Sequence, residues 1–111
     1  MRATTHAMHT LSPKQVHIRD RFWSDYQQLV KDVVIPYQYD ALHDLVPDAE
    51  PSYAIRNFEI AAGRQEGEFH GFVFQDTDVA KWIEAVGYSL MTHPDPKLEQ
   101  MTDEVIALVA E

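Results

Sequence analysis

There is no cysteine in this chain. That absence excludes disulfides, thiolate-held metals and a cysteine nucleophile among these residues. Positive charge is scarce as well: nine Lys and Arg stand against eighteen Asp and Glu, a formal charge of −9. The basic residues are scattered, and a phosphate backbone is bound by clustered cations, so nucleic acid is not an expected partner. No apolar run approaches the length that spans a bilayer, and the opening MRATTHAMHTLSPKQ holds no continuous apolar stretch of the kind a signal peptide carries. These absences leave a cytoplasmic, soluble chain with no membrane partner as the default expectation. The glycine patterns of a P-loop, a dinucleotide fold or a GxSxG nucleophile elbow are missing too.

What is present suffices for a folded core. The 111 residues suit one domain, and 45% of them are hydrophobic, with twelve aromatics. Residues 1–15 read as a flexible lead-in, polar and without period. Val16-His17-Ile18 alternates and predicts a short strand. From Arg21 the apolar spacing becomes helical, with Phe22, Tyr26, Leu29, Val30 and Val33 on one stripe and Asp20 as N-cap. Pro36 is expected to stop or kink that helix, because it removes a donor and disfavours helical geometry at Ile35. A second, offset helical piece spans Tyr37 to Leu45, and Pro47 and Pro51 bracket an acidic loop. Ser52 is the expected cap of a helix that buries Ile55, Phe58 and Ala62 and ends at Gly63.

Residues 64–71 read as a loop and Phe72–Phe74 as an extended segment. Asp76 or Asp78 is the expected cap of a helix striped by Val79, Trp82, Ile83, Val86 and Leu90. His93-Pro94-Asp95-Pro96 breaks it. Asp95 as cap with Pro96 at the first helical position restarts a helix carrying Leu98, Met101, Val105, Leu108 and Val109. So short a connection predicts an αα-hairpin. The last helix is still in period at Glu111, which is the pattern of a helix cut midway, and also of one that frays at a natural end.

Chemistry-bearing residues gather between Glu66 and Asp78. Asp76 and Asp78 are paired carboxylates of the kind glycoside hydrolysis uses, although helix capping accounts for one of them. Glu68, His70 and Asp76 are candidate metal ligands, but their spacing matches no metal signature. Phe69, Phe72, Phe74 and Trp82 could form an aromatic platform for a sugar ring; core packing is the stronger expectation for most of them.

The segments VHIRDRFW (16–23), VVIPYQY (33–39), SYAIRNFEIAAG (52–63), EGEFHGFVFQDTDVAKWIEAVGYSL (66–90) and HPDPKLE (93–99) together resemble the N-terminal part of glycoside hydrolase family 127, enzymes of the β-L-arabinofuranosidase type. The resemblance covers Val16 to Glu111, and it is the order of IPYQ, NFxIAAG, EFHGxVFQDxDVxKWxEA and HPDP that makes it specific. It implies a mainly α fold: the opening helices of an (α/α)6 barrel with a short N-terminal strand, incomplete in residues 16–111. It implies a retaining exo-hydrolase that releases L-arabinofuranose from β-linked arabino-oligosaccharides. Such enzymes use a cysteine nucleophile at a zinc site built from further cysteines and a glutamate, with a second glutamate as acid/base. This chain holds no cysteine, so no catalytic residue, metal ligand or cofactor is carried over, and the chain alone is expected to be inactive. What carries over is His70, Gln75, Asp76 and Asp78 as part of the wall of the sugar pocket. Apolar stripes on residues 22–33 and 79–90 would remain partly bare, which predicts self-association. The alternative is a small helical protein-binding module that contacts its partner through Gln75–Asp78 and Tyr37–Tyr39.

Overall fold

A computed structural model describes residues 8–111; residues 1–7 of the expected lead-in lie outside the described part. Its regular elements are all helical: a 3-10 turn at Pro13–Gln15, α1 at Arg21–Leu29, a π-helical segment at Val30–Val34, α2 at Ile35–Leu42, α3 at Ala54–Ala61, α4 at Asp76–Thr92 and α5 at Pro96–Ala110. The expected strand at Val16–Ile18 is not formed. Val16 is extended, but no strand lies among the described residues to pair with it. The Ile18 carbonyl instead accepts the Ser24 hydroxyl at 3.3 Å. The 3-10 turn just before it carries a capping box between Ser12 and Gln15 and packs against α4.

Pro36 does not stop the first helix. The rod runs without a break from Arg21 to Leu42, and five residues of π-helix absorb the proline. Proline lacks the N–H that the preceding turn needs, and its ring crowds the carbonyl one turn back. Widening that turn relieves both problems, and the Ile35 N–H bonds the Val30 carbonyl five residues earlier.

The core is formed by Ile35 and Leu42 of α2, Ala54 and Ile55 of α3, Val79, Trp82 and Val86 of α4, and Leu98, Val105 and Leu108 of α5. Trp82 is 2% exposed and its indole N–H donates to the Ile35 carbonyl at 3.1 Å, which ties α4 to the start of α2. On α4, Val79, Trp82 and Val86 are buried and Ile83 and Leu90 are partly buried against the core, so the stripe expected to remain partly bare over residues 79–90 is mostly covered. The stripe over residues 22–33 is mostly bare: Phe22, Tyr26 and Leu29 of α1 and Val33 of the π-helical segment are exposed, and only Val30 packs partly against the core. The αα-hairpin of α4 and α5 is as the sequence predicts, with the Asp95 carboxylate accepting the N–H groups of Lys97 and Leu98, both at 3.1 Å.

Candidate functional site

The turn from Gly67 to Gln75 is held in one conformation by side chains on both sides of it. Asn57, on α3, pairs with the His70 backbone in both directions: its Nδ2 donates to the His70 carbonyl at 2.8 Å, and its Oδ1 accepts the His70 N–H at 3.1 Å. Next to it the Tyr53 and His70 rings lie 5.3 Å apart. Gly71 has φ +88°, and a Cβ there would overlap Gln75 Oε1, which is already occupied as acceptor of the Phe72 N–H at 2.8 Å. Thr77 closes the turn, its N–H and hydroxyl both bonding the Phe74 carbonyl, at 3.2 and 2.8 Å. Phe72–Phe74 is consequently not extended as expected; residues 73–75 form a turn that feeds α4.

That turn also changes how α4 begins. Gln75 occupies the cap position without a side-chain cap bond, so neither Asp76 nor Asp78 is the expected cap. The Thr77 N–H is shared between the Asp76 carboxylate at 2.8 Å and the Phe74 carbonyl at 3.2 Å, and the Asp78 N–H is met by the Gln75 carbonyl at 3.1 Å. The two carboxylates remain in the first helical turn, where the helix dipole favours them.

The four residues expected at a sugar-pocket wall are not gathered into one pocket. Asp78 lines a cleft of about 420 Å³ between α2 and α4, together with Gln38, Ser52, Lys81 and the edge of Trp82. Asp76 lines a smaller cavity of about 160 Å³ on the α3 side, with Asn57, Phe58 and Phe69. The two carboxylates thus do not face each other across one substrate. Gln75 is spent on the turn, and His70 is exposed beside Tyr53. In the larger cleft the Lys81 ammonium meets Asp78 at 3.0 Å, one turn along the exposed face of α4. Elsewhere on α2, burial pushes the Tyr39 phenol upward, reinforced by the negative charges of Glu104 and Asp40. No group of three or more His, Cys, Asp or Glu placed to hold a metal occurs among the described residues, and Glu68, His70 and Asp76 do not form one.

Comparison with known proteins places this arrangement. The β-L-arabinofuranosidase GH127 catalytic-domain family matches residues 15–111. The chain belongs to that family. A non-reducing end β-L-arabinofuranosidase of Bifidobacterium longum subsp. longum is 37% identical over 107 residues, covering 86% of this chain and 16% of the relative. A solved GH127 β-L-arabinofuranosidase from Geobacillus stearothermophilus T6 is 57% identical, with a TM-score of 0.83 over 85% of this chain and 15% of that one. The chain therefore spans about a sixth of the length of these family members.

Gln38, Ser52, Asn57 and Lys81 were not singled out from the sequence as site residues. Gln38 and Asn57 do fall inside the IPYQ and NFxIAAG segments. Each is an amide inside a family-like segment, and that was the available signal. Ser52 and Lys81 carried none, since a serine before a helix and a lysine on an exposed face are ordinary.

Proposed function

We propose that this chain forms the opening helical part of a GH127 catalytic domain acting on β-L-arabinofuranosides, and that it supplies substrate-contacting surface to that domain. The observation that carries the reading is the family match over residues 15–111, supported by the 57% identical solved relative. Within it, Asp78, Gln38 and Ser52 offer hydroxyl-binding groups in the cleft between α2 and α4; His70 and Asp76 offer polar groups on the other side of the adjoining turn, which Gln75 holds in place. A neutral sugar suits the cleft because its one cation and one carboxylate already neutralise each other.

The chemical step draws nothing from these residues in this reading. The chain has no thiol to act as nucleophile, and its described residues do not converge on a metal ion, so zinc is not assigned to it. Its contribution is to bind and orient the sugar and to keep water from one side of it. The test is a chimera in which residues 15–111 replace the matching segment of the Geobacillus stearothermophilus enzyme. The expected chimera releases L-arabinose, and Asp78→Ala in it raises KM more than it lowers kcat. A chimera that folds, by circular dichroism, yet releases no arabinose overturns the reading.

A further inference from the structure

The π-helical segment lies between two clefts that open along α4. On one side of it, Trp23 and Tyr26 of α1, with Val30, face Tyr88, Ser89 and Thr92 across a cleft of about 390 Å³. On the other, Gln38 and Leu42 of α2 face Asp78 and Trp82 across the cleft of about 420 Å³. Ala85 lines both, so the two clefts meet midway along α4.

An unbroken α-helix turns by about 100° per residue, so the face that carries Trp23, Tyr26 and Val30 would return at Val34, Tyr37 and Ala41. The structure departs from that pattern by one residue. Tyr37 is exposed, and the face turned to α4 carries Ile35, Gln38 and Leu42, with Ala41 at its edge. The bond from the Ile35 N–H to the Val30 carbonyl reaches back five residues, one more than in an α-helix, and takes up the surplus. Pro36 favours a widened turn, but packing pins the segment at both ends. Val30 packs partly against the core, Ile35 is 1% exposed, and the Trp82 indole holds the Ile35 carbonyl at 3.1 Å. Between those pins Asp32 and Val33 are exposed, so the surplus residue bulges on the solvent side and displaces no core side chain. A straight helix pinned at Ile35 would turn Trp23 and Tyr26 about 100° away from α4, and only the Gln38 end would keep its wall.

We propose that the π segment is a positioning device held by this packing: it keeps Trp23 and Tyr26 on the same face of the rod as Gln38, and so makes one groove along α4 out of two clefts. The inference stands on geometry and is independent of which ligand the Asp78 cleft takes. The absence of native cysteine allows a clean test. A nitroxide on Thr92→Cys, which lines the α1 end of the groove, broadens the NMR signals of whichever α1 face looks at α4. The full chain carrying both labels is diluted into unmodified chain, so that only broadening within one molecule is read. Trp23 and Tyr26 should broaden more than Asp25 and Gln28, which lie on the opposite face. The Pro36→Ala chain should keep that pattern, because the pins at Val30 and Ile35 remain. Deleting Val33 in the Pro36→Ala chain removes the surplus residue. A straight helix then has both faces in phase, so the pattern and the melting temperature should match those of Pro36→Ala. If Pro36→Ala alone moves the broadening to Asp25 and Gln28, proline and not packing holds the segment, and the proposal is overturned. A deletion variant that moves the broadening, or that loses helix content by circular dichroism, overturns it as well, since an in-phase helix gives up no buried contact.

Discussion

Trp82 shows how much one side chain settles in this molecule. Its ring is buried, packs 5.4 Å from Tyr39, and spends its single donor on the Ile35 carbonyl at 3.1 Å. Trp82→Phe keeps most of the apolar volume but leaves that carbonyl buried without the indole donor. The expected cost is about 1–3 kcal/mol, read as a lower midpoint in urea with little change in slope. Gly71 makes a second test at the same scale. Gly71→Ala puts a methyl group on a residue at φ +88° and displaces Gln75 Oε1 from the Phe72 N–H, so it should destabilise the chain by about 1–3 kcal/mol. In a Gln75→Ala background the same substitution should cost less, since only the backbone penalty remains; an undiminished cost would show that the glycine and Gln75 are not coupled. Legibility at this scale was uneven. Trp82 was readable as a stripe residue from its spacing. Its bond to α2 was not, because the acceptor lies 47 residues away in sequence.

At the scale of elements the instructive case is the start of α3. Ser52 was the expected cap, but Tyr53 holds the cap position in the left-handed region at φ 59°, and the Ser52 backbone donates instead of its side chain accepting. The carboxylate at the entry to this helix is Asp44, which lies just after α2 and before the proline-bracketed loop: it accepts the Ser52 N–H at 2.6 Å and the Tyr53 N–H at 3.2 Å. The bonded amides precede the helix, so Asp44 does not cap α3; it closes the loop and fixes the backbone that enters the helix. Asp44→Ala should therefore cost about 1–2 kcal/mol, with hydrogen exchange quickening at Ser52 and Tyr53, whereas Asp44→Asn should keep most of the stability because asparagine tolerates φ 58° and still accepts. Local signals did predict the elements that end on local chemistry. Gly63 terminates α3 at φ 73°, and Asp95 with Pro96 begins α5. They failed where the competing partner was distant, as at Asp44, or where the backbone found a third option, as when a π segment absorbed Pro36.

Taken whole, the molecule is elongated. Its radius of gyration is 18.4 Å, against about 13 Å for a compact chain of this length, and its extents are 66 × 40 × 25 Å. The excess comes with a bare flank: Phe22, Trp23 and Tyr26 cluster on α1 with ring centroids 5.0–6.2 Å apart and all three exposed. Between Trp23 and Tyr26 on one side and Tyr88 of α4 on the other lies an apolar cleft of about 390 Å³. An aromatic surface of this kind is expected to be covered in the working protein. For the chain by itself we expect concentration-dependent self-association in sedimentation experiments, reduced by Trp23→Glu with Tyr26→Lys; a monomer at every concentration would refute this. One further contact ties distant parts together, the pairing of Arg64 after α3 with Glu111 after α5. The Arg64 guanidinium holds the Glu111 carboxyl below the usual carboxylate range. A depressed folded value means the stabilisation is present above the unfolded pKa and is lost as pH falls through the folded one. The difference in urea midpoint between the wild type and Glu111→Gln should thus shrink towards zero in acid; a difference that grew there would contradict the pairing.

The amino-acid sequence alone determined the helical class, the α4–α5 hairpin and the family, because apolar period, caps and ordered motifs are written in neighbouring residues. It also determined that no thiol chemistry resides here. Only the tertiary structure decided which apolar stripe is covered, which carboxylate holds the backbone entering α3, and that Asp76 and Asp78 part company into separate cavities. Those outcomes depend on which distant group reaches a backbone amide or an apolar face first, and spacing along the chain carries no record of that competition.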